Sequence, residues 1–254
     1  MKSLLQLLLP KTWPQVSKKM YSCHLQKSEH QNHLAVPPIT QKLRLANEIT
    51  ERAFKLYQPE ELMLCFNGGK DCTVLLDVIA RQKSWSTPLR AMCVKSHDPF
   101  AEVEQFIDFC TQHYKLDLKR YDGALKLAIE QALIERPEVR AVFLGCRRTD
   151  PGCAQLSAMT PCDNGWPRLM RIFPLLDWNY QDIWSYLRSQ KLHYCCLYDE
   201  GYTSLGCRSS TRPNPSLLVF DELDSKLKYL PAYELQDNKL ERANREDGCL
   251  IRKV

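Results

Sequence analysis

No stretch of this 254-residue chain is apolar for more than about five residues, far short of the ~20 a bilayer-spanning helix requires. A membrane bundle is therefore excluded. No two of the twelve cysteines are spaced C-x-x-C, which removes zinc ribbons and thioredoxin-type redox sites. In a chain this long they are also too sparse for a disulfide scaffold. Cys65, Cys93 and Cys110 lie inside apolar segments, where a reduced thiol behaves as a small hydrophobe, so the cysteines read as mostly reduced, in a reducing compartment. The charges of the two signs nearly balance, 35 Lys and Arg against 30 Asp and Glu. The formal net charge is +5, too mild to call for nucleic acid; small anionic ligands suit it equally well. With 44% apolar and 26% charged residues, what remains is an ordinary globular composition, neither disordered nor collagen-like.

Residues 1–38 stand apart. They carry Lys2, Lys11, Lys18, Lys19 and Lys27, no acid before Glu29, and His24, His30 and His33. The apolar stretch from Leu4 to Leu9 is broken by Gln6 and stopped by Pro10, a poor secretory signal. The segment reads either as a flexible extension or as a mitochondrial targeting segment, although transit peptides are usually rich in the arginine it lacks. It is expected to be dispensable for catalysis, and Met20 is a candidate second start. The compartment expected is the cytoplasm, or the mitochondrial matrix by way of residues 1–38.

From residue 39 the pattern alternates. Ala46, Ile49, Ala53 and Leu56 mark one helix face. Leu62 to Phe66 is a continuous apolar run, as in a strand buried on both faces. A helix from Lys70 to Arg81, a strand from Leu89 to Val94 and an amphipathic helix through Val103, Phe106, Ile107 and Cys110 follow. Leu116 to Tyr121 reads as a strand, Leu125 to Ala132 as a helix, and Val139 to Leu144 as a further buried strand. Four strand–helix alternations predict an α/β fold with a doubly wound, mostly parallel sheet and helices on both faces. Ligands in such sheets bind at the carboxyl ends of the strands, so the loops after Phe66 and Leu144 are the first candidates for a site.

The loop after the first strand reads Phe66-Asn67-Gly68-Gly69-Lys70-Asp71-Cys72 and opens a helix. Its glycines allow a sharp turn, the helix N-terminus offers free N–H groups and partial positive charge, and Lys70 adds a full charge. Together they can cradle phosphate. The spacing is neither G-x-x-x-x-G-K-[ST] nor G-x-G-x-x-G. The alternative is a plain strand-to-helix turn with Asp71 as a cap. The second loop, Gly145-Cys146-Arg147-Arg148-Thr149-Asp150-Pro151, puts adjacent arginines at the end of a buried strand.

The first loop resembles the modified P-loop of the PP-loop ATP-pyrophosphatase superfamily, and F-N-G-G-K-D narrows the resemblance to the eukaryotic FAD synthase (FMN adenylyltransferase) family, relatives of the PAPS reductases. The G-x-R-R-T-D-P block supports this. So do Gly165-Trp166-Pro167, Arg171 to Trp178, Asp182-Ile183-Trp184, Tyr198 to Gly206, and Pro231-Ala232-Tyr233 with Glu241-Arg242-x-x-Arg245. The resemblance runs collinearly over about residues 45 to 246. It implies an adenine nucleotide alpha hydrolase-like, PAPS reductase-like fold over residues 39–254, with a C-terminal extension from about 207. The additional N-terminal molybdopterin-binding-like domain of many animal members is expected to be missing from this chain.

The reaction it implies is nucleotidyl transfer, FMN + ATP → FAD + pyrophosphate, with Mg²⁺ as cofactor. The FMN phosphate, with a second pKa of ~6, is already an anion and needs no strong base. Positioning and charge neutralisation should carry the rate. The resemblance assigns Phe66, Asn67, Gly68, Gly69, Lys70 and Asp71 to ATP, with Asn67 and Asp71 orienting the phosphates and helping to bind the metal, whose ligand is Asp71. Arg147, Arg148, Thr149, Asp150, Asp177, Trp178, Arg242 and Arg245 fall to FMN. Asn67, Lys70, Asp71, Asp150, Arg242 and Arg245 are the catalytic set. Without the resemblance, Arg242 and Arg245 would read as the solvated face of a polar helix, Trp184 as core, and Gly201 to Gly206 as a turn.

The main rival is a sulfonucleotide reductase, which needs a nucleophilic cysteine in a Cys-Gly-Leu-His setting; the tail here reads Asp247-Gly248-Cys249-Leu250-Ile251-Arg252, with no histidine following. A tRNA-modifying PP-loop enzyme is disfavoured by the missing C-x-x-C elements and mild basicity. A non-catalytic nucleotide-binding module rests only on Cys72, where the superfamily usually has serine. The expected partners are the small molecules ATP and FMN, with flavoprotein clients as recipients, no nucleic acid, no membrane, and a monomeric chain.

Overall fold

Short apolar runs separated by amphipathic stretches leave each strand needing cover on both faces, and the chain supplies it with helices. The computed structural model describes residues 38–82, 87–162 and 165–245. The tail features at residues 1–37, Met20 included, and Cys249 lie outside the described residues. Helix α1 (Pro38–Leu56) opens on proline, whose missing N–H and fixed φ suit a first helical turn. Its buried line is Ala46, Thr50 and Ala53, with the Thr50 hydroxyl donating back to Ala46 O at 2.8 Å. Leu56, expected on that face, ends the helix and is 56% exposed.

The expected alternation follows: β1 (Leu62–Cys65), α2 (Lys70–Gln82), β2 (Arg90–Val94), α3 (Ala101–His113), β3 (Asp117–Tyr121), α4 (Leu125–Glu135) and β4 (Ala141–Phe143). Two further strands, β5 (Met159–Pro161) and β6 (Met170–Ile172), precede α5 (Tyr180–Ser189). At three residues each, and with Thr160 and Arg171 at their centres, β5 and β6 carry no apolar run to announce them. A hairpin of β7 (Leu218–Asp221) and β8 (Lys226–Tyr229) forms a separate two-stranded sheet.

The main sheet has the order β3-β2-β1-β4-β6-β5. Its neighbours are parallel except for the edge pair β5–β6. Period-two alternation divides its side chains. Leu62, Leu64, Ala91, Cys93 and Phe143 join the larger core with α1, α2, α3 and α5, whereas Met63, Met92 and Val142 pack on Ala128, Ile129 and Ala132 of α4. Both faces are covered, as expected, but unequally. Trp184 is core, ringed by Tyr180, Tyr194, Tyr198 and Tyr233. Helix α5 begins on a reciprocal box in which Asn179 and Asp182 exchange side-chain and backbone bonds at 2.9 and 2.7 Å. Lys42 of α1 pairs with the same Asp182, joining the two helices. No helix among the described residues is long and apolar enough to cross a membrane.

Candidate active site

β1 and β4 lie side by side, yet the chain travels out through β2 and β3 and returns before forming β4. The winding reverses between these two strands, so a crevice opens at their carboxyl ends. The two candidate loops are the ones that line it.

In the first loop, Phe66 N–H still bonds Met92 O at 2.9 Å and its ring is 1% exposed. Phe66 therefore belongs to the core, and only its backbone borders the crevice. Gly68 adopts φ +71°, and a Cβ there would stand 2.8 Å from Ile107, so glycine is required twice over. Asn67 Oδ1 accepts the Gly69 N–H at 3.0 Å and stiffens the turn. The Gly69 carbonyl takes the Thr73 N–H at 2.9 Å, starting α2. Lys70 N–H does not point to an open cradle: it donates to the Tyr198 hydroxyl at 2.9 Å. Cys72 is a packed thiol pushed up to about 12 by burial, which is no nucleophile at neutral pH.

The loop after β4 folds on itself, Arg147 N–H donating to Asp150 Oδ2 at 2.8 Å and Asp150 N–H to Arg147 O at 2.9 Å. Arg147 is then turned inward and is only 2% exposed. It completes a closed ring of alternating charge. Lys70 Nζ lies 3.0 Å from Asp71 Oδ2; Asp71 Oδ1 lies 2.8 Å from Arg147 Nε; Arg147 Nη2 lies 2.7 Å from Glu241 Oε1; and that oxygen lies 2.5 Å from Lys70 Nζ. Burial pushes the Asp71 carboxyl up, but the Lys70 and Arg147 charges outweigh it and hold the group below the usual carboxylate range. Asp150 goes the other way, raised by burial despite the Arg147 amide and charge.

Glu241 arrives from far along the chain. The segment 201–206 holds it: Thr203 Oγ1 donates to Glu241 O at 2.7 Å, Asn214 Nδ2 bridges Thr203 Oγ1 and Leu240 O at 2.8 Å each, and Asn244 Nδ2 bonds Ser204 O at 2.8 Å. Arg245 Nη1 donates to Leu205 O at 2.6 Å and Ser204 Oγ at 3.2 Å, its guanidinium lying over Gly206, where a Cβ would meet it at 2.0 Å. Gly201–Gly206 is thus more than a turn. Nor is there a helix under Arg242 and Arg245: a short 3₁₀ turn (Asn238–Leu240) passes into further turns.

The remaining candidates sit at the rim or away from it. Arg148 Nε pairs with Asp177 Oδ1 at 2.5 Å, both groups exposed, and Thr149 is exposed beside them. The Arg242 side chain is 52% exposed, its Nη1 3.8 Å from Asp150 Oδ1. Trp178 is not at the rim. Its ring is 2% exposed and packs edge-on to Tyr186 within the core, so the expected FMN contact does not describe this side chain. Two residues of the site carry no sequence signal of that role, Glu241 and Tyr198. Both lie in segments that resemble the family's, but an acid beside arginines reads as a surface ion pair and a tyrosine among apolar residues as core.

The family model for the phosphoadenosine phosphosulfate reductase domain matches residues 61–132 and 119–213, and so covers both loops. A Schizosaccharomyces pombe protein named a probable FAD synthase is 39% identical over 215 residues, across 81% of this chain and 79% of its own. The chain belongs to the FAD synthase family. A Caenorhabditis elegans relative, also named a probable FAD synthase, is 38% identical across 82% of this chain; the chain spans 41% of that protein's length. The crystal structure of Candida glabrata FMN adenylyltransferase with FMN and the ATP analogue AMPCPP superposes with a TM-score of 0.75 at 28% identity, over 85% of this chain and 92% of that one. The overall fold is thus that of the FAD synthase family.

Proposed function

We propose that this chain is an FMN adenylyltransferase that converts FMN and ATP into FAD and pyrophosphate. The observation that carries the reading is the meeting, at one reversal point of a FAD synthase-family sheet, of the glycine loop after β1 and the arginine block after β4. The FMN phosphate oxygen attacks the α-phosphorus of ATP, and the bond from that phosphorus to the bridging oxygen of pyrophosphate breaks. A phosphate nucleophile with pKa ~6 is ionised at neutral pH, so the site has to align two anions rather than remove a proton.

The chain's own groups divide by depth. The turn of Asn67, Gly68 and Gly69, at the positive end of α2, borders the ATP phosphates. Lys70 and Arg147 act from beneath, inside the ring. Arg242 and Arg148, the solvent-reaching cations, meet phosphate directly, and Arg148 with Asp150 and Asp177 faces the FMN side. Lys70, Arg147, Arg148, Arg242 and Arg245 give five positive charges against four from Asp71, Asp150, Asp177 and Glu241. A surplus of one leaves most of the triphosphate charge uncompensated, which is the physical case for Mg²⁺.

The residues present fit that ion. Asp71 stands at the start of α2 with its side chain 19% exposed, within reach of the crevice, although its oxygens also pair with Lys70 and Arg147. One such carboxylate, with phosphate oxygens and waters, is a usual Mg²⁺ environment. Among the described residues no group of three or more His, Cys, Asp or Glu could cage a metal alone, so substrate would complete the set. Asp71 would hold the ion, which would neutralise phosphate charge. We take the working unit to be a monomer of residues 39–254, with the segment from about 207 as part of the site. It resides in a reducing compartment, the cytoplasm or, if residues 1–38 target it there, the mitochondrial matrix, and flavoproteins are the natural recipients of the product.

The test is to incubate the purified full chain with FMN, ATP and Mg²⁺ and measure FAD and pyrophosphate by chromatography. Equal amounts of both products are expected. No FAD, with reduction of PAPS in the presence of thioredoxin, would replace this reading by the sulfonucleotide reductase.

A further inference from the structure

Glu241 and Arg242 are consecutive residues that face opposite ways. The Glu241 side chain points inward, with both oxygens on Arg147 Nη2 at 2.7 and 2.8 Å and one on Lys70 Nζ at 2.5 Å. Arg242 points outward at the mouth of the crevice, beside Asp150. The inward residue closes the ring, and the ring is anchored in both loops of the reversal point, by Lys70 and Asp71 on one side and Arg147 on the other. The main chain at this point is fixed from the opposite side by Thr203 and Asn214.

We propose that Glu241 is a positioning residue for adenylyl transfer: its carboxylate ties the C-terminal turn to the phosphate loop so that Arg242 is held over the pyrophosphate end of the nucleotide. The proposal rests on the reading of the crevice as an ATP site. Lys70 and Arg147, neutralised within the ring by Asp71 and Glu241, have little net charge of their own to offer a phosphate. The long-range connection of residue 241 to residues 70 and 147 instead sets where the next cation stands. A buried ring of this kind contributes more to geometry than to stability, because desolvation offsets much of the Coulomb attraction.

Electrostatics alone and positioning predict opposite signs. Removing a buried negative charge beside an anion site should strengthen anion binding; releasing Arg242 should weaken it. The experiment is calorimetric titration of the full chain with inorganic pyrophosphate and Mg²⁺, for wild type, Glu241→Gln, Arg242→Ala and the double variant, with circular dichroism to verify folding. Glu241→Gln keeps the shape of the side chain and one acceptor. Expected is a loss of affinity of about tenfold in Glu241→Gln, the scale of one charge-assisted hydrogen bond, similar to Arg242→Ala. No further loss should follow when Glu241→Gln is added to Arg242→Ala. The kcat for FAD formation should show the same non-additivity.

Tighter pyrophosphate binding by Glu241→Gln would overturn the proposal and make Glu241 an internal competitor of phosphate. Losses that multiply in the double variant would overturn it too, because Glu241 would then act independently of Arg242. If Glu241→Gln does not fold, Glu241→Asp, which is one methylene too short to span Lys70 and Arg147 together, must show the same dependence on Arg242 or the proposal fails. Pyrophosphate binding without FAD formation in the wild type would refute the proposed activity while leaving the positioning test intact.

Discussion

Replacing Lys70 by methionine keeps the aliphatic stem and removes one corner of the charge ring. Lys70 is 3% exposed and sits between Asp71 Oδ2 at 3.0 Å and Glu241 Oε1 at 2.5 Å. Without it, two buried carboxylates face Arg147 alone, and the ring carries one uncompensated negative charge. Leaving such a charge costs about 3–5 kcal/mol, a large share of the ~5–15 kcal/mol that holds a domain folded. At about 2–4 °C per kcal/mol for a chain of this size, Lys70→Met should melt roughly 6–20 °C below wild type. Because the ring is buried, 1 M salt should leave most of that gap in place. Lys70→Met combined with Glu241→Gln restores neutrality between Arg147 and Asp71, so the double variant should melt above the single one. The assay is thermal unfolding followed by circular dichroism at pH 7.5, with kcat measured below the variant's transition and expected to fall because the broken ring no longer holds Arg242 in place. A Tm for Lys70→Met equal to that of wild type would show that the ring does not form in solution, and the assignment of Lys70 to it would be withdrawn.

Other outcomes follow from single contacts. Tyr198→Phe removes the acceptor of the Lys70 N–H and should cost ~1–3 kcal/mol, the range for a buried donor left unpaired; an unchanged Tm would show that water replaces the hydroxyl. Gly206→Ala would put a Cβ 2.0 Å from the Arg245 guanidinium, expelling it from Leu205 O and Ser204 Oγ, so FAD formation should drop while the circular dichroism spectrum is kept; full activity would remove Arg245 from the site. Asp150 has its carboxyl raised by burial above the unfolded value. Its stabilising contribution is therefore fully present below the unfolded pKa of ~3.9 and is lost as pH rises through the folded one. Asp150→Asn, which can still accept the Arg147 N–H, should raise the Tm at pH 7.5, with the gain vanishing near pH 4, and should lower turnover; a gain that persists at low pH would contradict the ionisation argument.

The strands and helices up to residue 144 were legible because each satisfies a period. Leu62 to Cys65 and Ala141 to Phe143 must be covered on both faces and so carry no polar residue, while Phe106, Ile107 and Cys110 share one helix face. The glycine loop was legible for the same kind of reason, since Gly68 at φ +71° leaves no room for a side chain. After residue 144 the periods weaken. Three-residue strands, 3₁₀ turns and a hairpin with Phe220, Leu223 and Leu227 exposed leave little pattern to read.

The α/β alternation, the two loops at strand ends and membership of the FAD synthase family can be read along the chain, because all of them rest on local spacing and on collinear blocks of residues. That β1 and β4 are neighbours emerges in the fold alone, because strand order in a parallel sheet is set by crossovers and leaves no mark on the strands themselves. The fold also decides depth. Arg147 and Arg148 are adjacent and chemically identical, yet one is buried in the charge ring and the other stands at the rim; Trp178, just before α5, and Trp184, in the middle of it, are both core. Glu241 shows the reason most plainly. Its partners lie 171 and 94 residues away, and only the folded chain brings a carboxylate from the C-terminal turn between the cations of the two loops.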